Sequence, residues 1–253
     1  MISFPAKFFS QITARRQESI AVFGPEIKAQ QGQPDFFLAM EAEKIGAYSR
    51  LLGMEREAAE YFGHAARLYW PHDLGRVPGQ SDDHLTIGQL FCSGGVCAAL
   101  AGQPDRAMQL FEWCQAEYDR IAPEDLAVWQ PGGRHETHRY GELMLFRAYA
   151  ELRTGRWEQV AQRAAAATQS FTQAQRRKGA VQPHYAALAR ALAAAAAFHE
   201  QPSENALVFA QQALVRVVTQ ADTFIAQAAA CLNVWDLRAA VPDVFGAVTI
   251  QGN

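Results

Sequence analysis

Apolar residues return at helical spacing along most of the chain, and strand-like alternation is not seen before its end. Phe8, Phe9, Ile12 and Ile20 mark one face of a helix over 5–22, whose low basic content favours packing over a membrane surface. Gly24-Pro25 and Gly32-Gln33-Pro34 punctuate the segment after it. Asp35 stands where a helix cap belongs, opening a helix to 52 with a partner over 54–69. A connection rich in Pro, Gly and Asp fills 70–83. The next pair covers 84–101, with Gly94-Gly95 inside it, and 104–120, opened by Pro104 in the favoured first turn. A short helix over 123–129 precedes Gln130-Pro131-Gly132-Gly133. Helices over 137–154, 156–175, 183–198 and 203–219 come next, and one over 221–239 carries Phe224, Cys231, Leu232 and Trp235 as its apolar stripe. The tail from Val241 reads as extended. Its Val244, Phe245, Val248 and Ile250, against the single charge of Asp243, are too apolar to stay free. Docking on the last hairpin is expected, because the tail is tethered there.

Small residues sit where paired helices would cross. Gly46 and Ala58 lack bulk, Phe62 fills the space between them, and Gly53 suits a tight turn with positive φ. This hairpin resembles the tetratricopeptide repeat, whose unit carries an aliphatic-Gly pair, a turn Gly, then Ala, Phe and Ala. Ile45-Gly46, Gly53, Ala58, Phe62 and Ala65 occupy those places, with Ala42 and Ser49 where the family has Trp and Tyr. Gly95, Gly102, Ala107 and Phe111 repeat the spacing. Two degenerate copies lie beyond, one at Ala148, Gly155, Val160, Ala164 and Ala167, the other at Ala194, Gln201, Ala206, Ala210 and Ala213. Turns at 53, 102, 155 and 201 are spaced more widely than the family's period of about 34, which calls for long hairpins or long connections.

The resemblance implies an all-α, right-handed α-solenoid of about four helix–turn–helix hairpins forming one domain over 1–253. Residues 1–34 would give an N-terminal helix and linker, 35–220 the repeats, and 221–253 a capping helix and tail. A compact bundle is the alternative topology. In the family the first helix of each pair lines a concave groove. Here that places Glu43, Ala47 and Arg50 on the groove, then Cys92, Val96 and Ala99, then Leu145, Tyr149 and Leu152, and last Ala191, Ala195 and Phe198. The row lacks the Lys and Asn with which some members clamp a C-terminal carboxylate. An apolar groove suits a partner's amphipathic helix or extended segment instead.

Composition narrows the function. The 253 residues are 49% hydrophobic and 19% charged, with a net charge of −3, below the usual charged share of about 25%. That balance excludes a broad nucleic-acid face. Arg15-Arg16 and Arg176-Arg177-Lys178 read as solvated helix ends. Cys92, Cys97, Cys114 and Cys231 show no C-x-x-C pair and no zinc spacing, and Cys92 and Cys114, on apolar helix faces, read as reduced core residues. Lys7, Gln11 and Arg15 interrupt the first apolar stretch, which does not read as a signal peptide, and no run reaches bilayer length. A cytoplasmic location is expected.

Candidate chemistry is sparse. His135-Glu136-Thr137-His138 departs from H-E-x-x-H by one position. His72-Asp73 and Asp82-Asp83-His84 could ligate a metal, but capping the next helix explains the aspartates more simply. His84, His138 and His184 fall at similar distances before their turns, by chance or as a pH-sensitive edge. Glu55 and Glu57 lie on a charged helix face. No nucleophile elbow, phosphate loop or Ser/His/Asp order is recognisable. The chain therefore reads as a non-catalytic protein-binding adaptor without metal or cofactor. Its partner would be a protein or peptide, and a homodimer is compatible with this. An immunity protein neutralising a bacterial toxin, and a ligand sensor or enzyme using the His-bearing connections, are the alternatives.

Overall fold

The structure is a computed structural model and describes residues 2–3, 7–29, 35–69, 81–130, 137–176, 183–221, 223–248 and 250–251. These residues are all-helical apart from one two-residue strand pair. None of their helices is long and apolar enough to cross a membrane. The chain divides into two compact units, residues 4–122 and residues 123–251 together with 1–3, so the expected repeats over 35–220 are shared between them.

The N-terminal unit holds α1 (Phe8–Ala29), α2 (Phe36–Leu51), α3 (Glu55–Tyr69), α4 (Ser81–Leu100) and α5 (Pro104–Asp119), each packed on the next. Asp35 caps α2 as expected, its carboxylate accepting from the Leu38 N–H at 2.9 Å. One expectation fails in α1. The helix does not stop near residue 22 but runs through Gly24-Pro25, which leaves an exposed proline inside it. An interior proline removes a hydrogen bond and usually ends a helix. Here Gly24 and Ile27 beyond the apolar stripe are buried, and the Tyr61 hydroxyl lies 3.6 Å from where a Gly24 Cβ would stand. Tertiary packing therefore carries the helix past the break. Arg16 fastens α1 to both neighbours, donating from Nε to Ser49 Oγ at 2.9 Å and from Nη2 to Glu57 Oε2 at 2.6 Å.

The C-terminal unit holds α6 (Pro123–Trp129), α7 (Thr137–Arg153), α8 (Trp157–Arg176), α9 (Pro183–Glu200), α10 (Glu204–Thr219), α11 (Phe224–Ala240) and α12 (Pro242–Phe245), with consecutive helices from α6 to α8 and onward packed together. Ser203 and Thr223 cap α10 and α11. The buried stripe of α11 is Cys231, Val234 and Leu237, continued by Val241, whereas Leu232 and Trp235 are only half-buried. The stripe is thus rotated about one position from the expected one, because Ala230 and Val234 face inward in place of larger neighbours. The Phe224 side chain lies outside the described residues.

The three glycine turns share one geometry. Gly53, Gly102 and Gly155 have φ of 72°, 72° and 71°. In the first, the Gly53 N–H reaches the Arg50 carbonyl and the Met54 N–H the Ser49 carbonyl, and the same two bonds recur at Gly102-Gln103 and Gly155-Arg156. This double bond is the Schellman closure, which needs a left-handed residue that only glycine adopts cheaply.

The turns also set the side-chain register. Phe62 packs on Gly46 and Phe111 on Gly95, where an added Cβ would come within 3.2 Å and 2.8 Å of the ring. A second tier lies one step further from the turn: Tyr118 covers Gly88 and Phe171 covers Gly141. Each pair is centred on the residue after its turn glycine, namely Met54, Gln103 or Arg156. In the third hairpin Ala148 and Ala164 take the near tier, and the Gly–aromatic pair has moved to the far one. The fourth has Ala194 and Ala210, both buried and centred on Pro202.

The tail docks where expected but not in the expected form. Pro242–Phe245 forms a helical turn against α10 and α11, with Val244, Phe245 and Val248 buried. Gln211 Nε2 donates to the Val244 carbonyl at 3.0 Å, and Arg238 Nη2 to the Gly246 carbonyl at 3.3 Å. Beyond it, Ile250–Gln251 (β2) pairs in parallel with Ile2–Ser3 (β1), a contact between chain ends that no local pattern announces.

Candidate functional site

The residues expected to line a groove separate into two groups. Arg50, Cys92, Val96, Leu145, Tyr149 and Leu152 are buried, as are Ala191 and Ala195. Arg50 donates to Cys97 Sγ at 3.5 Å, and the Tyr149 hydroxyl donates to the Asn233 carbonyl at 3.2 Å. Glu43 and Ala99 are exposed, and Ala47 and Phe198 are half-buried. The physical reason lies in α4. It buries Leu85, Ile87, Leu90, Phe91, Cys92, Val96, Cys97 and Ala98, and a helix apolar on all sides presents little to solvent.

The α2 row is different at its N-terminal end. Phe36, Met40, Glu43 and Ala47 succeed one another at helical spacing, and Phe36 and Met40 are 67% and 36% exposed. Phe37, 56% exposed, lies beside them and meets Phe23 edge-on, with ring centroids 5.3 Å apart. Phe36 meets Tyr69 in the same way at 5.4 Å. The lower part of this face is acidic. The Tyr69 phenol is pushed up to about 12, by burial first and then by the charges of Glu43 and Asp83.

A second feature of the N-terminal unit escaped sequence reasoning. A recess of about 460 Å³ is lined by Arg56, Ala59, Glu60, Gly63, His64 and Arg67 of α3, by Gln103, and by Arg106 at the start of α5. The lining positions on α3 fall at i, i+3, i+4, i+7, i+8 and i+11, so they form one outward stripe. Gly63 is buried, yet an added Cβ there would meet nothing within 4 Å, which leaves room at this point of the helix. Arg67 Nη2 lies 3.2 Å from His64 Nδ1. A guanidinium can only donate, so this His64 nitrogen accepts and the imidazole is neutral. Burial, then Arg67 and Lys28, hold His64 below its ordinary pKa. Burial, then Arg106, lower that of Arg67. Arg106 is oriented by a bond to Gln109 and by the Trp113 ring, 5.3 Å from its guanidinium carbon. The sequence signal was the run of Arg56, His64 and Arg67 on one face of α3, hidden because Arg106 belongs to the next hairpin.

The three histidines sit in different surroundings. His84 Nδ1 pairs with Glu117 Oε2 at 2.8 Å, and Arg120 holds the other oxygen of that buried carboxylate. His138 is half-buried, whereas His184 is fully buried with Tyr185 at 4.4 Å between centroids. His72, Asp73, His135 and Glu136, and the side chain of Asp82, lie outside the described residues. Among the described residues no group of three His, Cys, Asp or Glu could hold a metal ion. All four cysteines are buried thiols and none is in a disulfide.

No family model matches the chain, nor does any curated protein or solved structure.

Proposed function

We propose that this chain is a non-catalytic protein-binding adaptor of tetratricopeptide-like construction. Its partner segment lies along the N-terminal half of α2. The observation that carries this reading is the exposed run of Phe36, Met40 and Glu43, continued by half-buried Ala47, on one helix face. Large apolar side chains grouped in this way mark interaction surfaces, whereas scattered ones do not. The acidic edge at Glu43 fits an amphipathic segment with a basic flank. Kinship with tetratricopeptide repeats is supported by three turns of identical closure and by Gly–aromatic crossings in one register. Four buried thiols outside any disulfide suit a reducing compartment, in keeping with a cytoplasmic location.

A photo-crosslinking residue at Met40, in cells that make the protein natively, tests this. The expected result is one discrete protein adduct, lost in a Phe36→Asp background and kept when Val208, exposed on α10, is changed to Asp instead. Equal adducts in both backgrounds, or none, overturn the reading.

A further inference from the structure

We infer that the recess between α3 and the start of α5 binds a phosphate-type oxyanion, clamped by Arg67 and Arg106 with His64 beside them. This site is separate from the α2 face and stands whether or not a protein partner binds there.

Charge comes first. Three guanidinium groups, Arg56, Arg67 and Arg106, line the recess against one carboxylate, Glu60. Among the described residues no ion pair holds Arg67 or Arg106, and the two are close enough to repel each other. Two forked donors in that relation are what a dianion satisfies, through charge-assisted and bidentate bonds. Gln103, the N-cap residue of α5, makes no side-chain cap bond, and Asp105 already offsets the positive end of that helix, so the arginines rather than the helix end supply the charge.

Shape and surroundings then decide between a compact anion and a long acidic peptide. A neighbouring recess that shares Arg56 and Glu60 is lined also by Gly53, Met54, Glu55 and Glu57, and its three carboxylates would repel an extended polyanion. Only the Arg67–Arg106 pole is clear of them. The volume of about 460 Å³ exceeds the needs of one phosphate, and the open space at Gly63 adjoins it. A small organic group attached to the phosphate would fit there.

His64 supplies the readout. The charged groups that line the recess or act on this imidazole are Lys28 of α1, Arg56, Glu60 and Arg67 of α3, and Arg106 of α5; among the described residues none from α2 or α4 lines it. In the free protein the neighbouring cations disfavour imidazolium. A bound dianion reverses that balance and raises the His64 titration midpoint, so the complex holds its imidazolium to higher pH than the free protein does. Protonation also removes the acceptor for Arg67 and frees its fork for the anion.

The test tracks the His64 ring signal by NMR in the full chain, identified by its loss in His64→Gln. The probes are inorganic phosphate, phenyl phosphate and a tetraglutamate peptide, with chloride at matched ionic strength. The expected result is a saturable shift with either phosphate, a raised His64 titration midpoint, and binding weakened about tenfold or more in Arg67→Gln or Arg106→Gln. Equal affinity for the two phosphates assigns the free ion, and tighter phenyl phosphate assigns an organic phosphate. Both variants retain a polar side chain at a surface position, and a circular-dichroism melt confirms that they fold. An unchanged His64 signal at millimolar phosphate, an equal response in the two arginine variants, or tighter binding of the peptide overturns the proposal.

Discussion

Phe111 lies against Gly95 so closely that a Cβ on the glycine would stand 2.8 Å from the ring, while neighbouring Gly94 has 3.6 Å to its nearest side chain. Two adjacent glycines of one helix therefore do different work. Alanine is the better helix former by about 1 kcal/mol. Gly94→Ala is expected to be neutral or stabilising up to that amount, and Gly95→Ala destabilising despite it. Phe111→Ala should cost about 3–5 kcal/mol. In that background Gly95→Ala should recover its propensity gain. Urea denaturation of the three single variants and the double mutant checks the coupling; additive effects would mean that the ring and the glycine do not meet.

Arg16 joins α1 to α2 and α3 through bonds of 2.9 and 2.6 Å. A hydrogen bond to a charged group contributes about 1.5–3 kcal/mol. Arg16→Ala should loosen α1 before the rest of the unit, and Arg16→Lys should not restore it, since one ammonium cannot reproduce the fork. Hydrogen exchange resolved by helix measures this, with faster exchange across 8–29 as the expected outcome.

Tyr69 carries a pH prediction. Its folded pKa of about 12 lies above the ordinary 10.0. A raised folded value means that its contribution to stability is full below pH 10 and is lost as pH rises toward 12. The difference spectrum of tyrosinate formation should show one phenol titrating late, absent from Tyr69→Phe. The variant should also lose less stability than the parent between pH 10 and 12.

The tail offers a fourth test. Phe245 is fully buried, and its truncation to Ala should cost about 3–5 kcal/mol. Cutting the chain before Pro242 should destabilise α10 and α11, seen as a lower melting temperature and faster exchange in 204–240. Exchange in 242–248 as rapid as in a free peptide would show that the tail does not dock.

What could be read in the sequence was local. Gly53, Gly102 and Phe62 are legible because turn chemistry and a crossing lie within one hairpin. The same logic places the Asp35 cap and the inward Cys114. Failures come where distant residues decide. Pro25 should end α1, but Ile27 and Tyr61 hold the helix on. A groove position for Cys92 and Val96 requires one free helix face, and α4 has none. Arg67 and Arg106 are 39 positions apart and come to one recess only because α4 packs on both α3 and α5. Ile2 and Ile250 lie at opposite ends of the chain.

The far-tier pairs Gly88–Tyr118 and Gly141–Phe171 act as graduations on a ruler whose zero is the turn. Tiers are seven residues apart on each helix, close to two helical turns. A hairpin built on this scale can grow at its open end by whole graduations without disturbing those nearer the zero. The alignment of its two helices is then indifferent to how much chain lies beyond them. Turn-to-turn spacing can drift from one copy to the next while the crossings stay in step, and a search for a fixed period along such a chain measures its connections rather than its repeats.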